Sequence, residues 1–277
     1  MKFIQKSWKN DPRSKNFSHS RFFGSITSFP SSLNRPRIIP LNQGETLRCA
    51  AYAAAANGQY INGVSMSPDW QVDKISRLQG TPVDAGGSDP NAAMNSQLYP
   101  RGGGYLPIED WNGNGMALDS EAANFGDSAY IKVTGPDYFT GVKTMLIHAY
   151  NQNNQRGACG QAFSPWYTEW MGPYITTAKT ILGGHSYLFI DWCTENGVEY
   201  LIVQNSYGLN IGDQGFQKMS KEVVNDIFSR GGSTIKFPMT LTTAQRELAT
   251  QQTPWGKIQL QILLIWAKLT SLYGSSY

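Results

Sequence analysis

Only three cysteines, Cys49, Cys159 and Cys193, occur in the 277 residues. They are too few and too scattered for a disulfide framework or a tetrahedral zinc site. One disulfide with a free thiol, or three free thiols, both remain open. Charged residues are also scarce, at 16% against a globular average of about 25%, which excludes a highly charged disordered chain. The longest apolar run, Ile262 to Ala267, falls far short of the roughly 18–20 residues that span a bilayer. The opening residues, Met1 to Lys9, contain no apolar stretch, so no secretory signal peptide is expected. A Walker loop, a dinucleotide fingerprint, HExxH, GxSxG and zinc-ligand spacings are all missing from the sequence. No metal, no cofactor and no nucleic-acid partner is therefore expected. Glu109-Asp110, beside Pro107, read as surface residues of a loop and not as a glycosidase pair.

What is present is a glycine-rich chain, 28 of 277 residues, long enough for one good-sized, loop-rich domain with appendages. Residues 1–37 carry eight basic side chains against one acid, Asp11, so the remainder is net negative although the whole is +3. Residues 1–36 lack helical or strand periodicity and read as a basic arm, either solvated or held by an acidic partner. Beyond Thr240, Trp255, Ile258, Ile262, Ile265, Trp266, Leu269 and Tyr273 share one face of an expected helix over 255–273. The expected division is an arm at 1–37, a main domain at 38–239 and a tail at 240–277.

Within the main domain helices come first. A dense alanine run predicts a buried helix from about Cys49, stopped near Asn57-Gly58. Ser67-Pro68 opens a second helix ending at Gly80, and Ser88-Asp89-Pro90 a third ending near Tyr99-Pro100. A fourth is expected at about Thr140 to Asn151, with Val142, Met145, Leu146 and Ala149 as its apolar stripe. Short β-type runs follow at 158–163, 186–193, 199–205 and 216–219. Helices followed by antiparallel strands give an α+β class.

A cysteine at the start of a buried helix faces unsatisfied amide N–H groups, which stabilise a thiolate and lower the thiol pKa. Gln43 lies six residues earlier and could donate to an oxyanion together with the Cys49 N–H. His185 follows Gly183-Gly184 at an expected strand start, and Asn205 ends the next strand. Adjacent strands would set that amide beside the imidazole and fix its tautomer. His19 and His148 read as structural or surface residues, and Cys159 and Cys193 as inert thiols within strands.

These residues resemble the papain family of cysteine peptidases. Gln43-Gly44 followed by Cys49-Ala50-Ala51-Tyr52 is similar to that family's Gln-Gly…Cys-Trp-Ala-Phe block. Gly86-Gly87 is similar to its cleft-lining glycine pair. Gln204-Asn205-Ser206-Tyr207-Gly208, with Gly212 to Phe216 after it, is similar to the Asn-Ser-Trp-Gly block. His185 lies 136 residues beyond Cys49 and Asn205 156 beyond, near the family's span of about 130–150. The resemblance, over about 38–239, implies a papain-like two-lobed fold with the active site in the cleft between a helical and a β lobe. It implies a cysteine endopeptidase acting on a polypeptide, with Cys49, His185 and Asn205 catalytic and Gln43 in the oxyanion hole. Gly86, Gly87, Gly184 and Tyr207 would contact substrate.

This sequence departs from the family at Thr46 (a cysteine there), Leu47-Arg48 (a small Gly-Ser pair), Ala50 and Tyr207 (tryptophans) and Gly184 (a carboxylate or amide). Arg48 would crowd or charge the S1 region. The short segment before the domain leaves no room for an inhibitory propeptide, as in bacterial or bacteriophage branches of the family. The protein would then be cytoplasmic or carried in an assembly such as a virion, with residues 1–37 and 255–273 as docking segments. In the alternative reading the domain only binds a partner within such an assembly. A transferase or peptidoglycan amidase would share the Cys-His pair but not the Asn-Ser-aromatic-Gly block.

Overall fold

A computed structural model describes Ile26 and residues 28–98, 103–127, 129–152 and 156–239. Most of the expected arm, with His19, and the whole tail including the expected helix at 255–273 lie outside the described residues. The fold starts from helix α1, Cys49–Asn62. Its alanines let neighbours approach on every side. Ala50 and Ala51 pack with Ile75, Ala93, Met94 and Phe163. On another face Ala53, Ala56 and Tyr60 pack with Leu188, Ile190, Ile202 and Phe216. The helix is thus a shared spine between helical and sheet cores.

This helix runs past the expected stop at Asn57-Gly58 and ends at Gly63, which is left-handed with φ 77°. Tertiary contacts explain the difference. The fully buried Asn57 carboxamide accepts from the Cys159 N–H at 2.8 Å and donates to the Cys159 carbonyl at 3.2 Å. Gly58 has the Tyr105 ring where a Cβ would stand. Both residues serve close packing here, not chain reversal.

Helix α2, Pro68–Gln79, follows its expected signals: Ser67 Oγ accepts from the Trp70 N–H, and Gly80 closes the helix at φ 73°. After the short α3, Val83–Gly86, Asp89 caps α4, Pro90–Asn95, through the N–H groups of Asn91 and Ala92. That helix is shorter than expected because Ser96 Oγ turns back to the Ala93 carbonyl and to Gln71 Oε1. A single turn, α5, covers Asp119–Ala122. Helix α6, Tyr138–Gln152, buries Val142, Met145, Leu146 and Ala149 as the periodicity predicts. Helix α7, Lys221–Ser229, was not anticipated, although Ser220 caps it and Val223, Val224, Ile227 and Phe228 form its buried stripe. Among the described residues no helix is long and apolar enough to cross a membrane.

Among the described residues the sheet has seven strands: β1 Ala129–Lys132, β2 Gly160–Tyr167, β3 Tyr174–Ile175, β4 Ile181–Glu195, β5 Val198–Gln204, β6 Phe216–Ser220 and β7 Thr234–Met239. Their order is β1-β7-β2-β4-β5-β6-β3. Pairing is antiparallel except for β3 with β6, as the α+β class requires. The central β4 begins five residues before the expected run. Gly183, Gly184 and His185 therefore lie inside a strand, held by pairing with Trp166, Pro165 and Ser164. Cys159 stands just ahead of β2, outside the strand expected to contain it, and Cys193 lies within β4.

The expected boundary at residue 37 falls inside a docked segment. Asp191 accepts from Ser32 Oγ and the Leu33 N–H at 2.9 Å each, and from the Arg35 N–H at 3.3 Å. Trp192 Nε1 donates to the Pro30 carbonyl at 2.9 Å. The Arg35 guanidinium is buried beside the Tyr60 and Tyr150 rings and donates to Gly157 O and Cys159 Sγ. Replacing Asp191 by Ala leaves those donors unsatisfied. An unfolding free energy lower by about 2–4 kcal/mol is expected. Limited proteolysis near residues 30–37 then accelerates in the variant, and an unchanged cleavage pattern would refute this role.

Candidate active site

Cys49 opens α1, directly after Arg48 in the N-cap position, whose side chain makes no capping bond. The Arg48 charge, expected to intrude on the site, is instead compensated. Its guanidinium grips Asp84 through Nε at 2.8 Å and Nη2 at 2.6 Å, and reaches Asp69 at 3.1 Å. That fork ties the start of α1 to α3, which ends at Gly86. Gly87 caps α3 with φ 77°; a Cβ would meet nothing there, so backbone conformation and not space favours glycine.

His185 is 2% exposed and stands between two rings. Tyr207 stacks on it at 5.0 Å with planes 7° apart, and Trp166 meets it edge-on at 4.7 Å. Its Nε2 lies 3.0 Å from Asn205 Oδ1. The expected pairing of His185 with Asn205 is therefore formed, with the Tyr207 ring stacked over the imidazole. Gly184 directly precedes His185 on β4.

Cys49 belongs to the same group. The Ser186 amide favours its thiolate, and negative charge on Cys49 would push the Tyr207 hydroxyl up. In addition, Gln161 Nε2 donates to the Ala50 carbonyl at 3.0 Å and to Ser186 Oγ at 3.1 Å. One buried carboxamide thus joins the residue after Cys49 to the residue after His185. Gln161 is itself held by Gln97 Nε2 at 2.8 Å, and Gln97 by Tyr105 Oη at 2.9 Å.

Gln43 is buried at the same end of the fold. Its N–H donates to the Ser206 carbonyl at 2.8 Å, and its Oε1 accepts from Ser206 Oγ at 2.5 Å. Nε2 donates one proton to the Thr46 carbonyl at 2.8 Å. An amide nitrogen carries two protons, so one further donor is available.

Burial opposes the expected thiolate. Burial pushes the Cys49 thiol up to about 11, outweighing hydrogen bonds from the backbone amides of Ser186, Ala50 and Cys49 itself. Burial also pushes His185 down to about 4, against the opposing hydrogen bond with Asn205. Desolvation outweighs these hydrogen bonds, so burial favours the uncharged form of each group. Cys49, Cys159 and Cys193 are all free thiols. Cys159 is buried against Arg35. His148 lies half-buried on α6, and Glu109-Asp110 form a single 3-10 turn. No cluster of potential metal ligands occurs among the described residues.

Sequence reasoning did not find Trp166, Gln161 or Gln217. Trp166 was legible only through the strand register, and neither glutamine stands in a distinctive local pattern.

Part of this chain is similar to known cysteine proteases. Residues 154–230 match the papain family cysteine protease profile, a span that holds His185 and Asn205 but not Cys49. Cathepsin B-like cysteine proteinase 3 of Caenorhabditis elegans is 34% identical over 98 residues, 35% of this chain and 25% of that protein. A gut-specific cysteine proteinase of the same organism is 40% identical over 62 residues, 22% of this chain and 19% of that protein. The matches thus span about a quarter or less of these curated relatives. Among solved structures, xylellain, a cysteine protease from Xylella fastidiosa, superposes with a TM-score of 0.65 at 16% identity, over 87% of this chain and 99% of that one. Digestive procathepsin L 3 of Tenebrio molitor larval midgut gives 0.59 at 17% identity, over 82% of this chain and 74% of that one. The fold of this chain is therefore papain-like, and the segment that matches the papain family cysteine proteases is the one that builds the His185–Asn205 pair.

Proposed function

We propose that the protein is a cysteine endopeptidase that hydrolyses peptide bonds with Cys49 as nucleophile, His185 as base and acid, and Asn205 as the group that orients His185. The observation that carries this reading is the buried His185–Asn205 hydrogen bond at 3.0 Å, with Gln161 joining the residue after Cys49 to the residue after His185.

Because burial favours the neutral thiol and imidazole, the proton leaves Cys49 for His185 Nδ1 as sulfur attacks the substrate carbonyl. The tetrahedral oxyanion is met by the Cys49 N–H and the second Nε2 proton of Gln43. The scissile C–N bond then breaks, His185 returns its proton to the departing amine, and a thioester remains on Cys49. Water, activated by His185, hydrolyses that thioester to the free acid and restores the thiol. Tyr207 covers the imidazole, and Gly86, Gly87 and Gly184 line the approach of an extended polypeptide.

An epoxide inactivator of the E-64 type tests the assignment. One equivalent is expected on Cys49, with Cys159 and Cys193 unmodified, as read by peptide mass spectrometry. Simple alkylation of Cys49 by iodoacetamide is expected to rise about tenfold per pH unit between pH 6 and 9, since the thiol titrates near 11. A flat rate across that range would mean a preformed thiolate.

A further inference from the structure

Outside the residues assigned above, Gln217 on β6 is fully bonded inside the fold, 1% exposed, and touches Asn205. Both of its amide protons are taken by backbone carbonyls, Trp170 O at 3.0 Å and Gly172 O at 2.8 Å. Carbonyls accept only, so the carboxamide of Gln217 has one permitted orientation. Its Oε1 then faces Asn205 Nδ2 at 3.1 Å. That contact in turn permits one orientation of Asn205, with Oδ1 accepting from the Ser206 N–H at 2.8 Å and facing His185 Nε2 at 3.0 Å. An acceptor opposite Nε2 requires the proton on Nε2, which leaves Nδ1 free to accept. Gly212 makes room for the arrangement, because a Cβ at its φ of 59° would collide with the Phe216 carbonyl and the Gln217 side chain.

We propose that Gln217 is a positioning residue which, through Asn205, selects the tautomer of His185 and so keeps Nδ1 available as the base. The segment that holds Trp170 and Gly172 thereby acts on the imidazole by way of two carbonyls, one glutamine and one asparagine. The catalytic consequence rests on the peptidase reading above; the tautomer does not.

The test is the 15N spectrum of the imidazoles, which is simple because the chain has three histidines. In the wild type near pH 7, His185 is expected to show a protonated Nε2 and a bare Nδ1. Gln217→Met keeps length but removes the acceptor. It is expected to give a tautomer mixture, with kcat about tenfold lower and KM within about twofold. Gln217→Glu, held as the neutral acid in this buried site, keeps one donor for the two carbonyls and an acceptor for Asn205 Nδ2. It is expected to retain the wild-type tautomer and to stay within about threefold in kcat. Adding Gln217→Met to Asn205→Ala is expected to cost nothing further. A wild-type tautomer in Gln217→Met, an equal loss in both Gln217 variants, or additivity with Asn205→Ala overturns the proposal. If Gln217→Met does not fold, Gln217→Glu decides alone: a tautomer mixture in that variant overturns it. If the wild type cleaves no peptide yet the tautomer moves as described, the peptidase reading fails and the positioning role stands. An active wild type with an unmoved tautomer gives the converse.

Discussion

Cys49→Ala is expected to lower kcat for peptide cleavage by at least about a thousandfold, to background, and to abolish labelling by the epoxide. Fold and midpoint of thermal unfolding are expected to stay close to those of the wild type. The side chain is half-buried at the first position of α1, and alanine is the strongest helix former. Cys49→Ser is expected to fail nearly as completely. A hydroxyl is a much weaker acid than a thiol, and an imidazole held near pKa 4 is a poor base for it. Cleavage by Cys49→Ala at more than about one per cent of the wild-type rate would remove Cys49 from the mechanism and with it the proposed function.

The second large effect concerns acid. His185 titrates near 6.5 in the unfolded chain and near 4 in the fold. Above pH 6.5 neither state binds the proton, and His185 contributes nothing to the pH dependence. Below it the unfolded imidazole takes up a proton that the folded one refuses, so stability falls as pH drops from about 6.5 to about 4. The full loss is about 3 kcal/mol. Urea unfolding of the wild type and of His185→Gln, at pH 7 and again at pH 4.5, isolates this from the carboxylates. The wild type is expected to lose about 2–3 kcal/mol more than the variant on acidification. Parallel losses would show that the imidazole is hydrated in the fold and titrates as it does in the unfolded chain. The same depression bears on catalysis. A buried imidazolium is costly, so it persists only while the thiolate or the oxyanion beside it supplies the opposing charge.

The residues that carry the site were legible because each sits in a distinctive local pattern. An alanine run predicts a buried helix wherever it lies, and a cysteine at its head is visible without any tertiary information. Ser67-Pro68 and Gly80 fixed the ends of α2 by local hydrogen bonding alone. The same local logic failed at Asn57-Gly58, where the turn-forming pair is consumed by Cys159 and Tyr105, residues far along the chain. It failed again at Gly183-Gly184, which pairing with β2 draws into a strand. Arg48 read as an intruding charge because Asp84 and Asp69, 36 and 21 residues away, are invisible as partners in one dimension.

The opening scarcity of cysteine takes on a sharper meaning. Three thiols without a disulfide leave the fold to be held by other means: an alanine spine, the Gln161–Gln97–Tyr105 chain, and a strap tied to Asp191. The sequence by itself determined which residue types stand in which order, hence the α+β class and the identity of Cys49, His185 and Asn205 as candidates. These follow from local propensity and from spacing. Only the tertiary structure decided the protonation of those residues and the orientation of their side chains. Desolvation and amide orientation depend on what surrounds a group in three dimensions, and Gln161 and Trp166 on β2, Tyr207 after β5 and Gln217 on β6 meet at the site from distant parts of the chain.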